Sequence, residues 1–230
     1  MKIINKTIGG PDALVIGEDS DKVYLYLHGK CGFKEEALDF AERAAHKGYQ
    51  VVSVDLPRHG ARKSEATELL PWIVTEELQR VYADLEKNWR HIFLRATSIG
   101  AWLAMMALSD RSIERCLFVS PVVDMEKLIG KMMLWSCVTE RELQKKESIP
   151  TDLGEVLSWR YLCWVREHPV VWNTPTKILY GERDSLTGKN TMEDFCLQHN
   201  AELFTIPGAE HYISEKTHLR ILHRWEEDNL

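Results

Sequence analysis

The stretch HIFLRATSIGAWLAMMAL, His91 to Leu108, decides how this chain folds. Its first part, HIFLRAT, is a short run rich in apolar and β-propensity residues, of the kind that fills a strand covered on both faces. Its second part, IGAWLAMMAL, is apolar all round when wound as a helix, which marks a buried helix. A buried strand feeding directly into a buried helix is the repeating unit of a parallel sheet with helices packed against it. Thr97 and Ser98 stand at the junction. Short hydroxyl side chains there can cap the first helical turn. A serine at the carboxyl end of such a strand can also be a nucleophile.

The same alternation continues in both directions. VYLYLHG, YQVVSVDLP, RCLFVSP, TKILYG and AELFTIPG are further strand-like runs ending in turn or polar residues. KEEALDFAERAAHKG reads as a helix stopped at Gly48, a C′ glycine. Pro71 to Trp89 reads as another, with Pro71 near its start, where the missing N–H costs nothing. Ahead of these, KIINKTI and DALVIG are separated by GGP and predict an antiparallel hairpin at one sheet edge. The pattern predicts the α/β class, a doubly wound, mostly parallel sheet of about eight strands.

From Val122 to about Asn173 the alternation lapses. MEKLIGKMMLWSCV and TERELQKKE read as helices, and Asp152 precedes Glu155 by the capping-box spacing, which predicts a third beginning at Asp152. Some fifty residues is too long for a simple crossover. The expectation is a single domain over 1–230 with a helical cap inserted at about 122–173, over the sheet edge where ligands bind in such folds.

Composition narrows the partners. A net charge of −6 with interspersed charges disfavours nucleic acid, whose binding needs concentrated Lys and Arg. No run approaches the roughly 18 apolar residues of a membrane helix, and the start lacks a signal-type apolar core. A cytoplasmic protein is expected, its oligomeric state left open. Cys31, Cys116, Cys137, Cys163 and Cys196 form no CxxC pair, so no metal site is expected and the thiols are read as reduced, Cys116 as a core residue.

A serine attacks at neutral pH only if a base takes its proton. Among nine histidines, His211 follows the last strand-like run and its exit IPGAE, on the rim where Ser98 lies. The base needs an anionic partner. Glu182 and Asp184 follow TKILY on that rim, and Asp124 follows RCLFVSP. A sharp turn at Ser98 also needs small residues two positions before and after it, which Ala96 and Gly100 supply.

These residues together resemble the α/β-hydrolase superfamily, the serine esterase and acylaminopeptidase-like hydrolases in particular. ATSIG is similar to its G-x-S-x-G elbow, with Ala96 in place of the first glycine. GERD matches the strand-loop G-x-x-D that commonly supplies the acid, which favours Asp184 over Asp124, and the order Ser98, Asp184, His211 is the order of that fold. HGKCG resembles the H-G-x-x-G oxyanion loop, and DLPRHG the D-x-P-G-H-G loop with Arg58 replacing a glycine; His59 there is read as structural. The resemblance implies an oxyanion hole built from the backbone N–H groups of Lys30 and Ile99, with His28 and Gly29 shaping the turn. It implies hydrolysis of carboxylic esters through an acyl-enzyme, with no cofactor. Most apolar side chains of the inserted segment, among them Met132, Leu134, Trp135 and Trp164, are expected to pack it onto the body, and those that face the crevice would suit a small to medium apolar acyl group. A peptide or thioester bond cleaved by the same residues is the alternative. A non-catalytic binding protein on this fold is the third reading.

Overall fold

The computed structural model describes all 230 residues, Met1–Leu230. The chain opens with the antiparallel hairpin of β1 (Ile3–Thr7) and β2 (Asp12–Ile16). It then alternates: β3 (Lys22–Leu27), α1 (Ala37–His46), β4 (Gln50–Val54), α2 (Pro71–Asn88), β5 (His91–Thr97), α3 (Ile99–Leu108) and β6 (Cys116–Val119). After β6 come α4 (Met125–Trp135), α5 (Glu140–Lys146), β7 (Ser148–Pro150), β8 (Val156–Ser158) and α6 (Trp159–Glu167). The alternation resumes with β9 (Thr176–Gly181), α7 (Lys189–His199), β10 (Glu202–Ile206) and α8 (Lys216–Asn229).

Eight strands form one sheet in the order β1-β2-β4-β3-β5-β6-β9-β10. Only β2 runs against the rest: it pairs antiparallel to both β1 and β4, and the remaining pairs are parallel. Because successive side chains on a strand point to opposite faces, each central strand feeds two cores. Val23, Leu25 and Leu27 of β3 and Ile92, Leu94 and Ala96 of β5 enter the larger cluster, under α2, α3, α4, α6 and α7. Tyr24, Tyr26 and Phe93 enter the smaller one, under α1 and α8. The continuous apolar runs of the sequence are the consequence of this double coverage.

A charged group is also buried beneath β5. The Arg95 Nε donates to Glu226 of α8 at 2.9 Å, and Arg43 of α1 donates to the other carboxylate oxygen of Glu226. The guanidinium of Arg95 lies over the rings of Tyr26 and Phe40. Two cations on one buried carboxylate leave none of the three charges unpaired, the condition under which burial of charge is tolerated.

The segment between β6 and β9 departs from the expectation in one respect. It is not purely helical: β7 and β8 form an antiparallel two-stranded hairpin. Asp152 caps no helix. It lies in the hairpin turn, where Gly154 takes a φ of 76° and the backbone of Thr151 is bonded to that of Glu155. The third helix starts at Trp159, with the Ser158 hydroxyl accepting from the N–H of Tyr161. The capping box in this segment belongs to α5, where Thr139 and Glu142 satisfy each other's N–H groups. No helix is long and apolar enough to cross a membrane.

Candidate active site

Going from β4 back to β5, the chain crosses from one side of β3 to the other, so the strand order reverses at β3 and β5. Their carboxyl ends flank the crevice where ligands bind in open α/β sheets. Ser98 follows β5, and the HGKCG loop follows β3.

Ser98 has φ 51° and ψ −122°, a left-handed conformation that costs a side-chain-bearing residue on the order of 1–3 kcal/mol. The surrounding bonds hold it there. Its N–H donates to Val119 of β6 at 3.1 Å, and its carbonyl accepts from Val122 and from Ala101. Its side chain makes no helix cap. The Oγ is instead 2.8 Å from Nε2 of His211, and Nδ1 of His211 is 2.7 Å from Oδ2 of Asp184. The other oxygen of Asp184, Oδ1, accepts from the N–H groups of Leu186 and Thr187 at 2.9 and 3.2 Å. All three side chains are buried, Ser98 being 6% exposed. A carboxylate with Oδ1 held by two backbone donors and Oδ2 facing a ring N–H fixes the tautomer of the imidazole, leaving Nε2 free to accept the serine proton.

Asp124 is not brought to His211. Its carboxylate caps α4, accepting from the N–H of Lys127 at 2.9 Å. Glu182 accepts from the N–H of Gly208 and braces the turn before His211.

The loop after β3 packs directly on the turn at Ser98. A Cβ at Gly29 would be 3.3 Å from that of Ser98, and one at Gly100 would lie 2.3 Å from the carbonyl oxygen of His28. Glycine at both positions permits this approach. Ile99 is the first residue of α3, so its N–H has no intrahelical acceptor. The N–H of Lys30 makes no backbone bond either. Neither backbone N–H is thus engaged by a backbone carbonyl.

His28 sets that loop. Its Nε2 accepts from the N–H of Leu56 at 3.0 Å, which places the proton on Nδ1, and Nδ1 donates to the carbonyl of Gly29 at 2.7 Å. Burial pushes its pKa down from 6.5 to about 4, because the low-dielectric surroundings penalise the imidazolium. That direction fixes how stability varies with pH. The folded state refuses a proton that the unfolded chain accepts, so this contribution to stability is complete above the unfolded pKa and is lost as pH falls from 6.5 towards 4. The shift corresponds to roughly 3 kcal/mol. Urea unfolding of the wild type should weaken across that window; in His28→Gln, whose amide oxygen still accepts from Leu56, this component should vanish.

The DLPRHG loop is held by Asp55, which accepts from the N–H of Lys34, from its Nζ at 2.6 Å and from the N–H of Ala61. These hydrogen bonds hold its carboxyl below the usual range against the opposing effect of burial. His59 bonds the carbonyl of Pro57 and lies beside the ring of His28, a structural place as expected.

Two contacts here have no signature in the sequence. The Lys30 ammonium pairs with Glu155 in the hairpin turn, tying the segment between β6 and β9 to the loop at Ser98. Lys131 of α4 bonds the loop that follows Asp184. Tyr161 and Trp164 pack against Trp102 of α3 rather than standing free, while Leu134 and Trp135 are exposed. A cavity of about 300 Å³ lined by Trp102, Asp124, His168 and His199 is not bordered by Ser98, Asp184, His211 or Lys30. Cys116 is buried, and no disulfide forms among the five cysteines.

No protein-family model and no curated protein matches this sequence. Solved structures do match its fold. Est1E from Butyrivibrio proteoclasticus, in a structure with ferulic acid bound, superposes with a TM-score of 0.77 at 17% identity, over 98% of this chain and 97% of its own. Alpha/beta hydrolase domain-containing protein 10 from mouse gives 0.73 at 14% identity, over 100% and 98%. An alpha-beta serine hydrolase homologue from Coxiella burnetii gives 0.67 at 16% identity, over 100% and 97%.

Proposed function

From the premise that this chain has the α/β-hydrolase fold, we propose that it is a serine hydrolase cleaving carboxylic esters of small to medium apolar acyl groups. The observation that carries this reading is the chain of two bonds, Ser98 Oγ to His211 Nε2 at 2.8 Å and His211 Nδ1 to Asp184 Oδ2 at 2.7 Å. In it, Ser98 attacks the acyl carbon while His211 takes its proton. The tetrahedral oxyanion is met by the N–H groups of Lys30 and Ile99. His211 then protonates the leaving alcohol, and water releases the acyl group by the same route in reverse. Asp184 orients the ring and stabilises the imidazolium that forms. The absence of a side-chain cap bond at Ser98 supports this use of its hydroxyl. Peptide or thioester cleavage would employ the same groups.

The test is a fluorophosphonate probe together with a substrate panel. The probe should attach to the peptide containing Ser98, and p-nitrophenyl esters should turn over faster than matched anilides or acyl-thioesters. Attachment elsewhere would overturn the nucleophile, and faster turnover of anilides would overturn the ester preference.

A further inference from the structure

The ammonium of Lys131 donates to three carbonyl oxygens in succession, those of Ser185 at 2.9 Å, Leu186 at 2.8 Å and Thr187 at 2.9 Å. An ammonium has three protons, and these acceptors match all of them. The chain curls around the charge at Gly188, whose φ is 86° and where a Cβ would lie 3.1 Å from Nζ.

Two of these carbonyls share a peptide unit with the groups that bind Asp184. The carbonyl of Ser185 is joined to the N–H of Leu186, and that of Leu186 to the N–H of Thr187. Both N–H groups donate to Asp184 Oδ1. Since a peptide unit is planar and its dipole runs along it, each of these two units is gripped at its oxygen by a cation and at its N–H by a carboxylate. Thr187 adds a third tie, its hydroxyl donating to the carbonyl of Pro121 at 3.0 Å.

We propose that Lys131 is a positioning residue for Asp184, acting through the peptide units 185–186 and 186–187 to fix Oδ1 and so to aim Oδ2 at His211. This rests on the reading of Ser98, His211 and Asp184 as the reacting groups. Helix α4 thereby does more than cover the sheet edge, because it also steadies the loop that carries the acid.

Lys131→Met should lower kcat/KM by about 10-fold, the lower end of what outer hydrogen-bonding partners contribute at other sites, with KM little changed. The low-field proton resonance of His211 Nδ1–H should broaden or vanish. Lys131→Arg, whose fork still reaches several carbonyls, should restore most of the rate and the resonance. A folded Lys131→Met protein with the wild-type rate and resonance would overturn the role. So would equal losses in Met and Arg with an unchanged resonance, since that pattern marks a loop staple alone. If the Met variant does not fold, Lys131→Gln supplies the same readouts. Fluorophosphonate labelling of Asp184→Asn separates the two levels. Unchanged labelling there would sink the assignment of the acid itself, whereas slowed labelling in Asp184→Asn with normal rates in Lys131→Met would sink only the role of Lys131.

Discussion

Replacing Ser98 by alanine should abolish fluorophosphonate labelling and lower kcat for ester hydrolysis by roughly 10⁵- to 10⁶-fold, the scale seen when residues that act as a unit lose one member. The size of the effect follows from the burial of the three side chains and the 2.8 Å bond to His211. With no hydroxyl at the centre of the crevice, neither the base nor the oxyanion donors have a reaction to assist. His211→Ala should cost nearly as much, and the double variant no more than either single one, because the second loss falls on a group already idle. Rates for the three variants measured on one p-nitrophenyl ester decide the matter; multiplicative losses would mean that the two side chains act independently. Folding should survive. Alanine relieves none of the left-handed strain at φ 51° and removes only an oxygen, so the thermal midpoint of Ser98→Ala is the necessary control.

Gly100→Ala should be the next most damaging change, for a purely steric reason. The added methyl would stand 2.3 Å from the carbonyl oxygen of His28 and 3.1 Å from that of Leu27, both backbone atoms with no rotamer to escape into. Either α3 or the loop after β3 must move. Both carry a proposed oxyanion donor, so kcat should fall by about 100- to 1000-fold, the loss expected when one donor is misplaced. Overpacking should also cost on the order of 1–3 kcal/mol of stability. Gly130→Ala is the matched control: no atom lies within 4 Å of its added Cβ, and helix propensity there favours alanine by up to about 1 kcal/mol. Wild-type kcat in Gly100→Ala would refute the close packing of loop on helix.

The sheet and the central constellation are readable in the sequence because the physics that makes them is local or ordered along the chain. HIFLRAT matches β5 from its first residue to its last, and Pro71 opens α2, as its sequence position suggests. His211 can be picked out because loops at the carboxyl ends of parallel strands share one rim; Glu182, Asp184 and Asp124 share that rim too, and it is the likeness of GERD to the G-x-x-D loop that selects Asp184. The hairpin of β7 and β8 cannot. Its strands are three residues each, largely exposed, and contain a proline, so neither alternation nor burial marks them. The spacing of Asp152 and Glu155 imitates a capping box, but Gly154 between them turns the chain, and Glu155 pairs with Lys30 instead. Lys131 is invisible for another reason: on sequence alone it is one more lysine on a helix, and its three acceptors lie more than fifty residues further on. Contacts of that separation leave no periodic trace.

The arrangement also ties the proposed activity to complete folding. Ser98 is held by β6 and the segment that follows, but its hydrogen-bond partner His211 comes 113 residues later, in the turn after β10. That strand pairs only with β9, at the far edge of the sheet from the first hairpin. A chain with its central strands assembled and β10 undocked would already carry the strained serine, yet have no base beside it. Pairings over such separations are slow to close. On the proposed mechanism, hydrolysis requires the finished sheet, and a chain with β10 undocked lacks the base that Ser98 needs.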